Sequence, residues 1–256
     1  MRKLAFNPRR VALLLGFALT AVTCAPAAAQ SARSYAVMSL SADKIFMVAP
    51  QMTTGSRLDR NLRNSFPTSD DGLEVVAVQA AAAAIKQHEA NASIELYVTR
   101  DPKIYDELGA EDGTVDLGKL LTKLKGVVAD SKASHLLLIT RHRDTARFPL
   151  AEGYKGVGRV YGVGFYVDEE ARLQYRTGEF RRGFVGPYAA LKVQLIELAT
   201  ARTAREDIVL ASEMFSGALT AESAWKGMST ADKSDALQRM IKQAVDDGVT
   251  RVLKAP

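Results

Sequence analysis

The chain has 256 residues, 47% of them apolar, with 34 Lys and Arg against 29 Asp and Glu and a formal net charge of +5. That size and apolar share suit one large domain, or two small ones, with a substantial core. The charge excess sits at the start: removing residues 1–29 takes away Arg2, Lys3, Arg9 and Arg10 and no acid, so 34 basic residues become 30 against 29 acidic. This near-neutral balance excludes a nucleic-acid partner, which requires a basic field on the folded domain.

The first residues have the layout of an export leader: the basic group, an uncharged apolar stretch from Val11 to Val22, then Ala27-Ala28-Ala29. The stretch is too short to span a membrane, which takes about 20 apolar residues in a helix. The expected products are a signal peptide over 1–29 and a single domain over 30–256, placed in the periplasm. Cys24, the only cysteine, raises lipid attachment as a second route. The preceding Ala21-Val22-Thr23 departs from the lipoprotein pattern, which has Leu three before the Cys and a small residue directly before it. Cut after Ala29, the chain has no thiol, so its stability has to come from buried apolar surface.

The elements follow in chain order. Tyr35–Leu40 and Lys44–Ala49 read as strands, and the polar Ser41-Ala42-Asp43 between them suits a hairpin. Residues 50–71 lack periodicity but carry Arg57, Arg60 and Arg63 at three-residue spacing. An Ala-rich helix is expected over 72–90, with Asp70 or Asp71 as cap and Leu73, Val76, Ala77, Ala80, Ala81 and Ala84 on one face. Ile94–Thr99 alternates as a half-buried strand that Asp101-Pro102 ends. A second helix is expected over 116–130, capped by Asp116, with Leu117, Leu120, Leu121, Leu124 and Val128 in one stripe.

Leu136–Ile139 is apolar on both faces and reads as a central strand. Val157–Val167 alternates apolar residues with Gly158, Gly162 and Gly164, a pattern that signals a bulge or the close approach of another backbone. Further strands are expected at Leu173–Arg176, Glu179–Val185 and Ile208–Phe215, while Ala189–Leu198 fits strand or helix. A last helix over 229–253 opens on the capping-box-like Ser229-Thr230-Ala231-Asp232. The fold class is α/β (α+β): a mixed sheet with packed helices.

Candidate chemistry is sparse. Arg141-His142-Arg143 at the end of the central strand resembles the strand-then-Arg-His opening of histidine phosphatases, which implies His142 as nucleophile and Arg141 as phosphate ligand. Arg143 stands where that family has Gly, and no histidine follows His142. The glycines from Gly156 to Gly162 precede a strand pattern, so they do not form a dinucleotide loop. Three dispersed histidines predict no metal centre, and no cofactor motif is present. Asp168, Glu169 and Glu170 read as a charged turn. Tyr161, Phe165, Tyr166, Phe180, Phe184 and Tyr188 read as core. Arg57, Arg60 and Arg63 suit recognition of an anionic group.

The order of Ser134–Ile139, the glycine stretch from Gly156 and Leu191–Leu198 resembles the periplasmic α/β domains of the curli secretion lipoprotein, the TolB amino-terminal region and the outer-membrane activators of peptidoglycan synthases. The whole chain also looks like an uncharacterised proteobacterial envelope family. The resemblance implies a fold and transfers no functional residue. The reading is a non-enzymatic periplasmic binding or adaptor module with an envelope protein or glycan as partner, using Arg57, Arg60, Arg63, Arg141 and His142. The alternatives are an exported hydrolase acting through His142 and a small-ligand carrier.

Overall fold

The computed structural model describes residues 33–51, 61–108, 116–128, 131–169, 172–174, 179–181, 183–216 and 223–254. The leader, Cys24, Arg57 and Arg60 lie outside them. The first two strands are β1 (Ser34–Leu40) and β2 (Lys44–Ala49), followed by β3 (Leu62–Pro67), α1 (Gly72–His88) and β4 (Ser93–Tyr97). Two helices, α2 (Pro102–Asp106) and α3 (Leu117–Val128), lead to β5 (His135–Arg141). Short strands β6 (Arg143–Thr145), β7 (Phe148–Leu150) and β8 (Gly153–Lys155) precede β9 (Arg159–Asp168), and β10 (Arg172–Gln174) pairs with β11 (Glu179–Arg181). The chain ends with β12 (Phe184–Glu197), β13 (Arg202–Ser212), β14 (Phe215–Ser216) and α4 (Thr230–Lys254). The described residues form one mixed α/β domain, as the sequence pattern predicts.

The main sheet is organised on β12. One edge of this strand carries β13 and β14. The other edge is shared end to end: Phe184–Ala190 pair with β9 and Leu191–Glu197 with β5, both antiparallel. β5 and β9 therefore run in the same direction, one after the other. β1 lies parallel to β5 and β2 parallel to β9, so β1 and β2 also continue one line. This overturns the expected hairpin: Ser41-Ala42-Asp43 breaks the strand without reversing it. Pairing likewise settles Ala189–Glu197 as strand, with Leu198 in the turn that follows, because β12 has partners on both edges, which a helix cannot offer.

Both faces are covered, which is why β5 reads apolar throughout. Leu137 and Ile139 join the core under α1 and α4, whereas Leu136 and Leu138 face Ile104, Leu120 and Leu124 of α2 and α3. The side chains of Leu117 and Val128 lie outside the description. Further along, Phe148 closes over Tyr166 and Phe184, with ring centroids 5.0 and 5.6 Å away. Tyr161, Phe165, Tyr166, Phe184 and Tyr188 are buried, so the aromatic cluster is core; the Phe180 side chain is outside the description. Asp168 corrects the charged-turn reading: it is buried at the end of β9, with Lys155 Nζ at 3.5 Å.

The caps expected at Asp116 and Ser229 form, Asp70 is the one of the two expected aspartates that binds the start of α1, and Asp101 adds a cap at α2, a helix the sequence pattern does not predict. Ser229 Oγ accepts from Asp232 N at 3.1 Å while Asp232 accepts from Ser229 N at 3.2 Å, closing the capping box. Asp116 accepts from Lys119 N and Asp101 from Lys103 N, starting α3 and α2. At α1, Asp70 takes Gly72 N, which leaves the Asp71 carboxylate for Arg100.

Gly164 shows the predicted close approach: a Cβ there would fall on the Phe46 carbonyl of β2. Gly126, on the exposed side of α3, meets nothing within 4 Å. Gly164→Ala should lower stability by at least about 2 kcal/mol through overpacking. Gly126→Ala should raise it by about 0.5–1 kcal/mol through helix propensity. Urea midpoints of the two variants against the parent check both signs.

Candidate functional site

Breaking the β1–β2 line frees two backbone amides inside the protein, and such groups need acceptors. Glu74, 2% exposed in the first turns of α1, supplies them. Its Oε1 accepts from Ser41 N at 2.9 Å and Ala42 N at 2.8 Å, and its Oε2 from Ser41 Oγ at 3.3 Å. The Tyr105 hydroxyl donates to Oε1 at 3.0 Å. Burial, then the Glu74 charge, push the Tyr105 phenol far above the ordinary tyrosine value, so it remains a donor. Thr68 completes the knot by donating its amide to the Asp43 carbonyl at 2.9 Å.

Beside this knot Arg141 ends β5. Its Nη1 donates to Asp43 Oδ1 at 2.7 Å, with the two side chains only 7% and 17% exposed. The guanidinium carbon lies 5.7 Å from the Tyr161 ring centroid. Gly162 makes room for it: φ there is +63°, and a Cβ would come within 3.2 Å of the Arg141 stem. Arg141 Nε is buried with no acceptor among the described residues.

A cleft of about 320 Å³ opens above these groups. Its base is Arg141, Asp43, Glu74 and Tyr105; its walls are Pro67–Asp71 on one side and Thr99, Arg100 and Pro102 on the other; Lys44 and Asp106 stand at the rim. Arg100 of the second wall reaches Asp71 of the first at 2.7 Å, and that hydrogen bond holds the Asp71 carboxyl below the usual range. The position follows a general rule for open α/β sheets. β4, β1 and β5 are neighbouring parallel strands, with α1 on one face and α2–α3 on the other, and the cleft lies beyond their carboxyl ends.

The sequence-predicted residues separate. Arg141 is at the base of the cleft. Arg63 sits on β3 in register with Val48, four residues before the Pro67 that borders the cleft. His142 faces the other way. Thr140 and Lys192 are paired across the ladder, so His142 shares their side of the sheet while Arg141 shares the side of Ile139 and Leu191. Burial first, then Lys192, push the His142 imidazole below its usual value. The histidine-phosphatase expectation needs both side chains on one phosphate, and the strand alternation sends them apart. Among the described residues, no three His, Cys, Asp or Glu gather as a metal site, and no helix is long and apolar enough to cross a membrane.

Glu74 and Asp43 were not legible as site residues. Glu74 sits in an Ala-rich helix one position after Leu73, and its only signal is a carboxylate among residues that read as a buried face.

No family model and no curated protein matches the chain. Solved structures that are similar include one described as a neuraminyllactose-binding hemagglutinin homolog from Helicobacter pylori, at 9% identity and a TM-score of 0.41, covering 88% of this chain and 82% of that one. A hypothetical protein from Chlamydia trachomatis gives 11% and 0.34, covering 88% and 100%. A lipoprotein from Neisseria meningitidis gives 10% and 0.30, covering 81% and 99%. At such scores the likenesses carry no argument about site or activity.

Glu74→Ala should cost about 3 kcal/mol, since two buried amides lose their acceptor. Glu74→Gln keeps an acceptor oxygen and should cost less than half of that. Hydrogen exchange at Ser41 and Ala42 checks the cause: both amides should exchange fast only in the Ala variant.

His135 and His142 both have lowered pKa values, chiefly through burial. The unfolded chain, with ordinary histidines near 6.5, then binds more protons than the folded one, so stability falls as pH drops below about 6.5. His142→Gln should flatten that acid-side slope in urea titrations between pH 7 and pH 5.

Proposed function

We propose that this protein is an exported, non-enzymatic binding module of the cell envelope that holds a small polar group of an envelope glycan in the cleft over Arg141. The observation that carries the reading is Arg141 itself, fixed by Asp43 at the base of an open cleft, with a buried Nε–H that has no acceptor among the described residues. A buried donor of this kind costs free energy, and a ligand oxygen that reached the Arg141 guanidinium would offset it. Hydroxyl groups of Thr68, Ser69, Thr99 and Tyr105 around it suit a polyhydroxylated ligand. The charges at the base are tied to one another, which preorganises them for recognition. Export rests on the leader-like first 29 residues.

Thermal unfolding in the presence of N-acetylglucosamine oligomers and of core sugars released from lipopolysaccharide tests the reading. A fragment present at a hundredfold its Kd stabilises the folded state by about 2.7 kcal/mol, which moves Tm by several degrees. Lys44→Ala and Asp106→Ala, both at the exposed rim, should lose that shift while keeping the unliganded Tm. A parent protein that no fragment stabilises, or rim variants that respond in full, would sink the glycan reading. Recovery from periplasmic extract with Gln30 as first residue checks export.

A further inference from the structure

We infer that the cleft is the head-group half of a site for a single-chain amphiphile whose alkyl chain lies in the apolar groove next to it. The inference rests on the reading of the cleft as a polar-ligand site.

The groove has a volume of about 670 Å³, within the ~300–1,000 Å³ typical of small-molecule sites. Ile45, Met47 and Phe165 form its floor, with Leu73 of α1, Leu237 of α4 and Trp225 as walls. Trp225 stands edge-on to Phe165 at 5.2 Å, and Lys233 Nζ covers it at 3.9 Å from the ring centroid. Phe66, at the rim, leaves 51% of its surface in water.

Groove and cleft are neighbours: the same segment, Pro67 to Asp70, borders both. A ligand crossing that segment would place its polar end against Arg141 and its apolar end against Trp225.

The linings select the occupant. The floor of the groove is a sheet face whose backbone groups are spent in the ladders of β2 with β3 and β9. An alkyl chain needs no hydrogen-bond partner from such a floor. In the cleft, Asp43, Asp70, Asp71, Glu74 and Asp106 outnumber Lys44, Arg100 and Arg141. That excess favours a hydroxylated or amine-bearing head and disfavours a plain anion.

Trp225 is the only tryptophan in the chain, so its fluorescence reports occupancy of the groove directly. Octyl, decyl and dodecyl glucoside, each below its micelle threshold, should shift the emission to saturation. Affinity should rise about fourfold per methylene, the equivalent of ~0.8 kcal/mol for each buried CH₂. Phe66→Ser, a change at the exposed rim, should weaken dodecyl glucoside about tenfold while leaving stabilisation by sugar fragments intact. Dodecyl sulfate should bind at least tenfold more weakly than dodecyl glucoside.

A Kd independent of chain length, with sugar fragments still stabilising the protein, would overturn the amphiphile and leave the polar cleft standing. Equal or tighter binding of dodecyl sulfate would overturn the head-group assignment. Silence of both the fluorescence and the thermal shift would remove the cleft reading as well.

Discussion

The hydrogen bonds from the Ser41 and Ala42 amides to Glu74 decide how this chain is laid out. A carboxylate that is 2% exposed is costly unless donors surround it, and here the donors are backbone amides that would otherwise be orphaned by the break in the β1–β2 line. Each problem answers the other. β12 is long enough to carry β5 and β9 end to end, and the strands on their other side also come in two pieces. β1 and β2 are those pieces, and Glu74 makes the gap between them affordable.

The same gap produces the candidate site. Asp43, the last residue of the break, meets the side chain that ends β5, and Gly162 clears the space for it. The three parallel strands stop at this level while the sheet carries on through β2 and β9, so their carboxyl ends face an opening. Helices leave on opposite faces here, α1 over one core and α2–α3 over the other, which keeps the opening from being filled. The arrangement is polar because it has to satisfy exposed strand ends and helix starts at once.

The groove has a different origin. Where α4 begins, Trp225 packs on Phe165 and the sheet surface ahead of it is not covered by any of the described residues, so an apolar floor lies next to a polar cleft. Only the short run from Pro67 to Asp70 divides them. The run is held by Thr68 on one side and by the Asp70 bond to Gly72 on the other, which gives the partition a fixed position.

Local chemistry was readable from the amino-acid order alone. Period, capping and two-sided burial each depend on a dozen neighbouring residues, so α1, α3, α4 and β5 fall where their patterns place them, and Ser41-Ala42-Asp43 was visible as a break. The direction of the chain after that break was not readable, nor was the state of Ala189–Leu198, since both depend on which strands lie alongside. The short elements β3, β6, β7, β8 and α2 carry too few residues to show a period. Arg141 stood out for its neighbour His142, yet its partner is Asp43, 98 residues away, and Glu74 reaches Ser41 across 33. Such pairs are set by burial and unmet backbone hydrogen bonds, quantities that exist only once the sheet has closed, and so the tertiary structure alone decided the site.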